Sequence, residues 1–512
     1  MTVSLLVGVD IGTQSVKSAV YEANGRCIAE AVAPLALHVE GHDLVEQDPL
    51  QFFTVACSTI ASCIERSSID PGQIAGVGVA GQMAGVLGID AAGVPVTPYD
   101  SWLDSRCRED LADLDRECGD EMVALTGCPA MVAHAPKLRW LKRTQPGVFA
   151  DVARFVMPSA FVAGHLCGLG ADDAFIDWTH LHFSGLADAA RGTWSDDLAD
   201  VVGVPLAKLP RIVAPTDVVG RVTAKAARES GLAPGTPVVA GMGDTAAGAL
   251  GAGLVQSGHV LDTAGTASVL AVSVPAFRAD TETRTMIAMR GAVPGQWITL
   301  SYLAGGNVLR WLPQALAGSA AGSKTTLNDL LLEAEAIVDP TALPHFVPHL
   351  GGRILPAAPE MRGAWVGIGF EHRRGDLVRA VLESVAFEYA GYLARVEAMF
   401  PTLVPSDVRL IGGGSANRMW IELKSSVLGL PYHLLEGDHF TCWGAALAAG
   451  AGVGLVDDLV AGALTAASCT EQVQPDTRLA TVYAERAAAY RVVLESVRGL
   501  ECALSTRQEE LV

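Results

Sequence analysis

The same sequence pattern occurs in both halves of the chain. It consists of a predicted strand, an acid, a Gly-Thr pair and a serine. The first copy is residues 10–15 (DIGTQS), and the second is residues 262–268 (DTAGTAS). Each copy stands between two apolar segments of strand-like composition and therefore predicts a β-hairpin. A repeat of this kind indicates a duplicated domain, with the two hairpins facing each other across a cleft.

The turn of such a hairpin directs successive backbone N–H groups and small hydroxyls into one concavity, which suits phosphate oxygens. Asp10 follows the first apolar segment, where a carboxylate can hold a water-coordinated Mg²⁺. An ordinary β-hairpin explains either copy taken alone, whereas two copies favour phosphate binding. A P-loop is excluded, because the chain contains no G-x-x-x-x-G-K-[ST] motif.

Residues 237–248 (PVVAGMGDTAAG) lie close to the middle of the chain and read as a short buried strand that breaks into glycines around Asp244. An acid at the end of a buried strand is partly desolvated and held by close backbone neighbours. Such a position suits a general base, whose protonation must be tuned and whose geometry must be fixed. The alternative is an aspartate that caps the following helix.

Three other segments carry polar side chains in suggestive patterns. Residues 99–106 (YDSWLDSR) predict a loop in which Trp offers a face to a sugar and Asp and Arg offer hydrogen bonds, or a helix start with an Asp–Arg pair. Residues 412–417 (GGGSAN) follow a predicted strand and open a helix, which lets a nucleotide approach bare backbone. Residues 177–183 (DWTHLHF) predict an edge strand, and its two histidines have no third metal ligand.

Composition limits the possible functions. The 512 residues suggest two large domains, and the net charge of −20 argues against nucleic acid or an anionic membrane as a partner. The ten cysteines form no C-x-x-C pair, which indicates reduced thiols of a cytosolic protein. There is no basic leader, and the uncharged segment 440–456 predicts a buried helix of small residues in place of a membrane span.

Taken together, these segments resemble the FGGY carbohydrate kinases, within the actin, hexokinase and Hsp70 superfamily of ATPases. The resemblance covers nearly the whole chain, and its motifs occur in the family order. They are residues 8–13 (GVDIGT), 80–83 (AGQM), 102–106 (WLDSR), 136–141 (PKLRWL), 241–248 (GMGDTAAG), 363–368 (GAWVGI), 376–377 (DL), 380–383 (AVLE) and 412–414 (GGG).

The resemblance implies an α/β fold of two ribonuclease-H-like (actin-like ATPase) domains with the active site in the cleft between them. It implies that residues 1–253 form the sugar-binding N-terminal domain and residues 254–512 the nucleotide-binding C-terminal domain. A cytoplasmic enzyme of this kind transfers a phosphoryl group from ATP, with Mg²⁺, to a hydroxyl of a small-molecule sugar. The sequence leaves open whether the chain forms a homodimer.

The resemblance also assigns roles to individual residues. Asp244 is the base that takes the proton from the attacking hydroxyl, and Asp10 holds Mg²⁺ through water. The residues implied at the sugar are Gln82, Met83, Trp102, Asp104 and Thr245. The residues implied at the phosphates and the rest of the nucleotide are Asp10, Gly12, Thr13, Gln14, Thr266, Gly306, Arg310, Gly413, Gly414 and Asn417.

Within the family the chain most resembles the xylulokinases, which implies conversion of D-xylulose to its 5-phosphate. Two positions that face the sugar differ from those enzymes, because Ala84 replaces a usual His and Thr245 a usual Asn. Another ketose, an alditol or a sugar acid, such as ribulose or gluconate, is therefore an alternative substrate. The further alternatives are a non-catalytic sugar or nucleotide sensor and an ATPase of the chaperone or actin branch.

Overall fold

The fold was analysed in a computed structural model that describes residues 4–265, 267–316, 325–413, 417–437 and 439–509. The elements of the first half are β1 Leu5–Ile11, β2 Ser15–Glu22, β3 Cys27–Pro34, β4 His38–Glu40, β5 Leu44–Gln47, α1 Pro49–Ser67, β6 Ile74–Gly81, β7 Leu87–Ile89, β8 Tyr99–Asp100, α2 Arg108–Thr126, α3 His134–Thr144, α4 Pro146–Asp151, β9 Arg154–Val156, α5 Pro158–Cys167, β10 Phe175–Asp177, α6 Leu181–Ser184, β11 Ala187–Asp188, β12 Thr193–Trp194, α7 Asp196–Val202, β13 Arg211–Val213, β14 Val218–Arg221, α8 Ala224–Ser230, β15 Pro237–Val239, β16 Met242–Gly243 and α9 Asp244–Gly251. The elements of the second half are β17 His259–Ala264, β18 Ser268–Val274, β19 Ile287–Arg290, β20 Trp297–Leu303, α10 Gly305–Ala315, α11 Leu327–Glu335, β21 His345–Val347, β22 Ala364–Val366, α12 Arg374–Met399, β23 Asp407–Ile411, α13 Arg418–Leu428, β24 Tyr432–Leu435, α14 Phe440–Gly452, α15 Leu459–Ala466, β25 Cys469–Val473 and α16 Ala480–Glu509.

The two predicted hairpins form the centres of two seven-stranded sheets. The first sheet has the order β14-β15-β6-β1-β2-β3, with β16 also paired to β6, and the second has the order β19-β20-β18-β17-β23-β24-β25. In each sheet the first hairpin strand pairs antiparallel with the second and parallel with a later strand. The shared topology confirms the predicted α/β fold of two ribonuclease-H-like halves.

The acids of the two hairpins face opposite sides of their sheets. Asp10 stands two residues before the turn glycine, whereas Asp262 stands three residues before it. Since side chains alternate along a strand, the extra residue turns Asp262 to the other face. Its carboxylate is fully buried, accepts a hydrogen bond from Tyr389 Oη at 2.8 Å and pairs with Lys424. The second acid therefore fixes β17 to α12 and α13.

Helices α9 and α14 form a layer between the two sheets. One continuous apolar cluster joins side chains of the first sheet, both helices and the second sheet; it includes Leu6, Met242, Ala247, Leu250, Ala445, Leu261 and Leu300. A Cβ atom added at Gly8 would lie 1.8 Å from the carbonyl oxygen of Cys442, and one added at Gly444 would lie 2.0 Å from that of Ala247. Backbone therefore packs directly on backbone, as the small residues of α14 predict.

Several other sequence predictions can be compared with the elements. In the sequence, Asp48-Pro49 predicts the start of a helix that runs to about Arg66, and residues 374–399 carry continuous helical patterning. Both helices are confirmed, as α1 and α12. The described helices include none with the length and apolarity of a bilayer span, and the nine described cysteines are all free thiols.

The edge strand predicted over 177–183 is wrong. Strand β10 ends at Asp177, and a 3₁₀ turn and the short helix α6 follow. The side chain of Asp177 accepts a hydrogen bond from the backbone N–H of Thr179 at 2.9 Å, which caps the turn and stops the strand. A short alternation of polar and apolar residues did not distinguish these two structures.

Replacing Gly444 with Ala should destabilise the protein, because its Cβ would overlap the carbonyl oxygen of Ala247. Overpacking of this kind costs about 1–3 kcal/mol or more. The matched control is Gly391→Ala within α12, where an added Cβ has no described atom within 4 Å; this change should stabilise the helix by about 0.5–1 kcal/mol. Urea denaturation midpoints measure both effects, and equal midpoints for the two variants would contradict the packing.

Candidate active site

Three neighbouring parallel strands end at one edge of the first sheet. Ile11 at the end of β1 pairs with Gly81 at the end of β6, and Gly81 also pairs with Gly243 at the end of β16. Asp10 and Asp244 therefore lie at the same edge, although they are far apart in the chain. Crevices outside the carboxyl ends of parallel strands are the usual place for ligands in α/β proteins.

Asp244 is the first residue of α9, and its carboxylate does not cap that helix in the ordinary way. The N-cap is Gly243, while Asp244 Oδ1 accepts from the backbone N–H of Thr245 at 2.6 Å and from its hydroxyl at 3.2 Å. Asp244 is half-buried. Burial raises the pKa of Asp244, against the hydrogen bonds from Thr245 and the charge of His180. This environment is consistent with a general base.

Asp10 shares this desolvated environment. Burial, followed by the negative charge of Asp244, raises the pKa of Asp10 to about 7, with Lys17 acting in the opposite direction. The negative charge of Asp244 thus adds to the effect of burial on the proton affinity of Asp10. The described residues contain no group of three or more His, Cys, Asp or Glu side chains arranged for a metal.

The raised pKa of Asp10 makes the stability of the ligand-free protein depend on pH. In the folded state Asp10 has a pKa of about 7, whereas in the unfolded chain it releases its proton near the ordinary pKa of 3.8. The contribution of Asp10 is therefore present at low pH and is lost as pH rises towards 7. Asp10→Asn should raise the melting temperature by a few degrees at pH 8.5 and by less at pH 5.5.

The control for this pH prediction is Asp172→Asn, which changes an exposed carboxylate. It should leave the melting temperature unchanged at both pH values. An equal gain for Asp10→Asn at both values would contradict the assigned pKa.

A network of amides and hydroxyls fixes the turn of the first hairpin. Gln82 Nε2 donates to Gln47 Oε1 at 2.8 Å and to the carbonyl of Gly12 at 3.4 Å. Gln47 Nε2 donates to the carbonyl of Thr13 at 3.0 Å, and Trp102 Nε1 donates to the Thr13 hydroxyl at 2.9 Å. The amide of Gln82, predicted at the sugar, is thus engaged with the turn. Gln47 belongs to no recognisable motif, so sequence reasoning missed it.

Buried hydrogen bonds of Asp104 and Lys137 fix the loop around Trp102. Trp102 is 46% exposed, so its ring is available to a ligand. Asp104, predicted at the sugar, is buried and accepts from the backbone N–H of Val45 at 2.8 Å and from Arg106 Nε at 3.0 Å. The buried Lys137 donates to the carbonyl of Asp104 at 2.9 Å. In this conformation Asp104 shapes the loop that presents Trp102.

The remaining sugar-side candidates surround the start of α9. Met83 is buried, and a Cβ added at Gly243 would lie 2.4 Å from its sulfur, so Met83 packs against the residue preceding Asp244. Thr245, which directly follows Asp244, is exposed. Ala84 is buried and has a left-handed backbone with φ of 64°.

In the second half, three segments that are predicted to bind the nucleotide lie close together. A Cβ added at Gly412 would lie 2.8 Å from the carbonyl oxygen of Ala264, at the end of β17. One added at Gly305 would lie 2.3 Å from Ser268 Oγ, at the start of β18. The second hairpin, the start of α10 and the glycine loop after β23 are therefore neighbours.

Individual candidates in these nucleotide-side segments differ in exposure. Gly413 is exposed, and an added Cβ there meets no atom of the described residues within 4 Å. Arg310 is exposed on α10, one turn beyond the half-buried Gly306. Asn417 caps α13 by accepting from the backbone N–H of Trp420 at 2.9 Å. Thr266 and Gly414, predicted at the same site, lie outside the described residues.

The topology of the two sheets is that of a fold with two ribonuclease-H-like halves, and Asp10 and Asp244 lie at one strand edge of the first sheet. Residues 5–251 match the FGGY family of carbohydrate kinases, N-terminal domain, and residues 263–453 match the C-terminal domain of that family. The chain therefore belongs to the FGGY family of carbohydrate kinases and is a sugar kinase that uses ATP. This confirms the resemblance found in the sequence.

Individual relatives carry more than one substrate name. The chain is 24% identical over 521 residues to a xylulose kinase of Staphylococcus epidermidis, covering 99% of each protein. It is 25% identical over 522 residues to an autoinducer-2 kinase of Klebsiella pneumoniae, covering 97% of this chain and 95% of that protein. The solved xylulose kinase structure from Rhodospirillum rubrum has a TM-score of 0.88 at 26% identity, covering 97% of this chain and 99% of that one.

Proposed function

We propose that the protein phosphorylates D-xylulose at its 5-hydroxyl, with ATP as donor and Mg²⁺ as cofactor. The observation that carries the proposal is the position of Asp244 at the strand edge shared with Asp10 and the first hairpin turn. The similarity to xylulose kinases supports the choice of sugar. ATP consumption and the free thiols support a cytoplasmic location.

Asp244 acts as the general base in this proposal. As the sugar oxygen attacks the γ-phosphorus, its proton moves to the Asp244 carboxylate, the bond to the β-phosphate oxygen breaks, and ADP leaves. Burial raises the pKa of Asp244, which strengthens its affinity for the proton. Phosphoryl transfer otherwise depends on positioning and charge neutralisation. Asp10 would hold Mg²⁺ through water, and the metal would supply positive charge to the phosphate oxygens.

The sugar lies mainly on the first half and ATP mainly on the second. The Trp102 face, Met83 and Thr245 contact the sugar in residues 1–253, with Gln82 and Asp104 shaping the site. Gly12, Thr13 and Gln14 hold the phosphates. The nucleotide lies on residues 254–512, at Thr266, Gly306, Arg310, Gly413, Gly414 and Asn417. Closure of the halves on both substrates excludes water that would otherwise accept the phosphoryl group.

Asp244→Asn should abolish sugar phosphorylation with little change in fold or sugar affinity. The replacement is nearly isosteric and removes the proton acceptor, which is worth about 10² to 10⁴ in rate. Sugar-dependent ADP release measures kcat, and near-ultraviolet circular dichroism checks the fold. A folded variant that retains more than about a tenth of kcat would contradict the assignment.

Gly413→Val should raise the KM for ATP and leave the KM for the sugar unchanged. The position is exposed, so the added side chain occupies space proposed for the nucleotide without disturbing protein packing. Gly499→Val, at a helix glycine with similarly open surroundings, is the control and should change neither KM. A loss of sugar affinity alone would show that the two halves are assigned the wrong way round.

The sugar is tested by ADP release across a panel of ketoses, alditols and sugar acids. The native Ala84 and Thr245 have less reach than His and Asn, and each missed hydrogen bond costs about 1–3 kcal/mol. The double variant Ala84→His, Thr245→Asn should therefore raise kcat/KM for D-xylulose relative to the other sugars. The left-handed backbone at Ala84 tolerates this change, since His is among the residues enriched there.

D-Xylulose should give the highest native kcat/KM of the panel. A higher value for another sugar would replace D-xylulose as the substrate and leave the kinase assignment intact. The similarity to an autoinducer-2 kinase favours including autoinducer-2 in the panel. No gain for D-xylulose in the double variant would show that positions 84 and 245 do not select the sugar.

A further inference from the structure

A buried carboxylate, that of Asp177, is connected through Thr179 to the residue that precedes Asp244. Asp177 is 2% exposed, and its Oδ1 accepts from the backbone N–H of Thr179 at 2.9 Å and from the Thr179 hydroxyl at 2.5 Å. Its other oxygen, Oδ2, lies 2.6 Å from His180 Nδ1. Thr179 and His180 are both fully buried. Asp177 is therefore held by contacts to both oxygens and cannot move independently of the turn that follows it.

The Thr179 hydroxyl also contacts the backbone of the catalytic segment. Its oxygen accepts from the N–H of Gly243 at 3.0 Å. Gly243 is the N-cap of α9 and directly precedes Asp244, and it pairs with Gly81 of β6. The hydroxyl thus joins a rigid buried carboxylate to the peptide that carries the base.

The direction of these hydrogen bonds is set by chemistry. An ionised carboxylate only accepts, so the single proton of the Thr179 hydroxyl goes to Asp177. The lone pairs of the hydroxyl oxygen then remain available to the N–H of Gly243. A valine has the same shape but lacks both functions, and it would leave the Gly243 N–H unpaired. Thr179 therefore constrains the backbone before Asp244 in a way that packing alone does not.

We propose that Thr179, oriented by Asp177, is a positioning residue that fixes Asp244 for proton abstraction. The inference rests on the proposed role of Asp244 as base. Catalytic groups must be held within about 0.5 Å of the productive geometry, and a 1 Å displacement costs about 100-fold in rate. Thr179 belongs to none of the motifs that carry the family resemblance.

The test compares Thr179→Val with Thr179→Ser. The valine variant should lower kcat about 10- to 100-fold, with both KM values within about twofold of the native values. The serine variant keeps the hydroxyl and should restore kcat to within about threefold of native. The control is Thr299→Val, at a fully buried threonine of β20, which should leave kcat unchanged.

The outcomes separate this inference from the proposed function. Native kcat in Thr179→Val together with an inactive Asp244→Asn overturns the inference alone. An active Asp244→Asn overturns the proposed base, and the role of Thr179 with it. Equal losses of kcat in the valine and serine variants overturn the positioning role, because they show that the loss does not depend on the hydroxyl.

A second variant keeps the inference testable if Thr179→Val does not fold. Asp177→Asn retains the shape of the carboxylate but can present a donor to the Thr179 hydroxyl, which then no longer has a fixed orientation. It should also lower kcat at unchanged KM values. Native kcat in a folded Asp177→Asn would overturn the proposal.

Discussion

The direct contact between the backbones of α14, the first sheet and α9 is the constraint on which the structure depends. Glycines at Gly8 and Gly444 allow this contact, because any larger residue would overlap a carbonyl oxygen. Helix α14 comes from the second half of the chain but packs on the first sheet, so the two halves interlock. The same packing fixes α9, whose first residue is Asp244, relative to β1, which carries Asp10.

Asp10 and Asp244 lie in a desolvated site that disfavours their ionised forms. Burial raises the pKa of both acids, and the negative charge of Asp244 adds to the shift at Asp10. In the proposed mechanism, a cation bound near Asp10 would stabilise its ionised form. The hydrogen-bond networks around Gln47 and Thr179 fix the backbone segments next to the two acids.

Much of the fold could be predicted from sequence, because strand–glycine–strand patterns and long helices are local signals. The position of Asp244 at a strand end was predictable for the same reason. The burial of Asp262 could have been found by counting residues to the turn glycine. The contacts of Gln47 and Thr179 could not, since they join segments distant in the chain and depend on which parallel strands become neighbours. The same holds for the engagement of Gln82 with the turn.

A crystal structure of the protein with Mg²⁺, a non-hydrolysable ATP analogue and the best sugar of the panel tests the central claim most directly. The account predicts that the reacting hydroxyl lies about 2.6–3.2 Å from a carboxylate oxygen of Asp244. It also predicts that the γ-phosphate lies against the turn of Gly12, Thr13 and Gln14, with the metal nearest Asp10. A sugar whose hydroxyls make no contact with Asp244, or phosphates bound away from that turn, would contradict it.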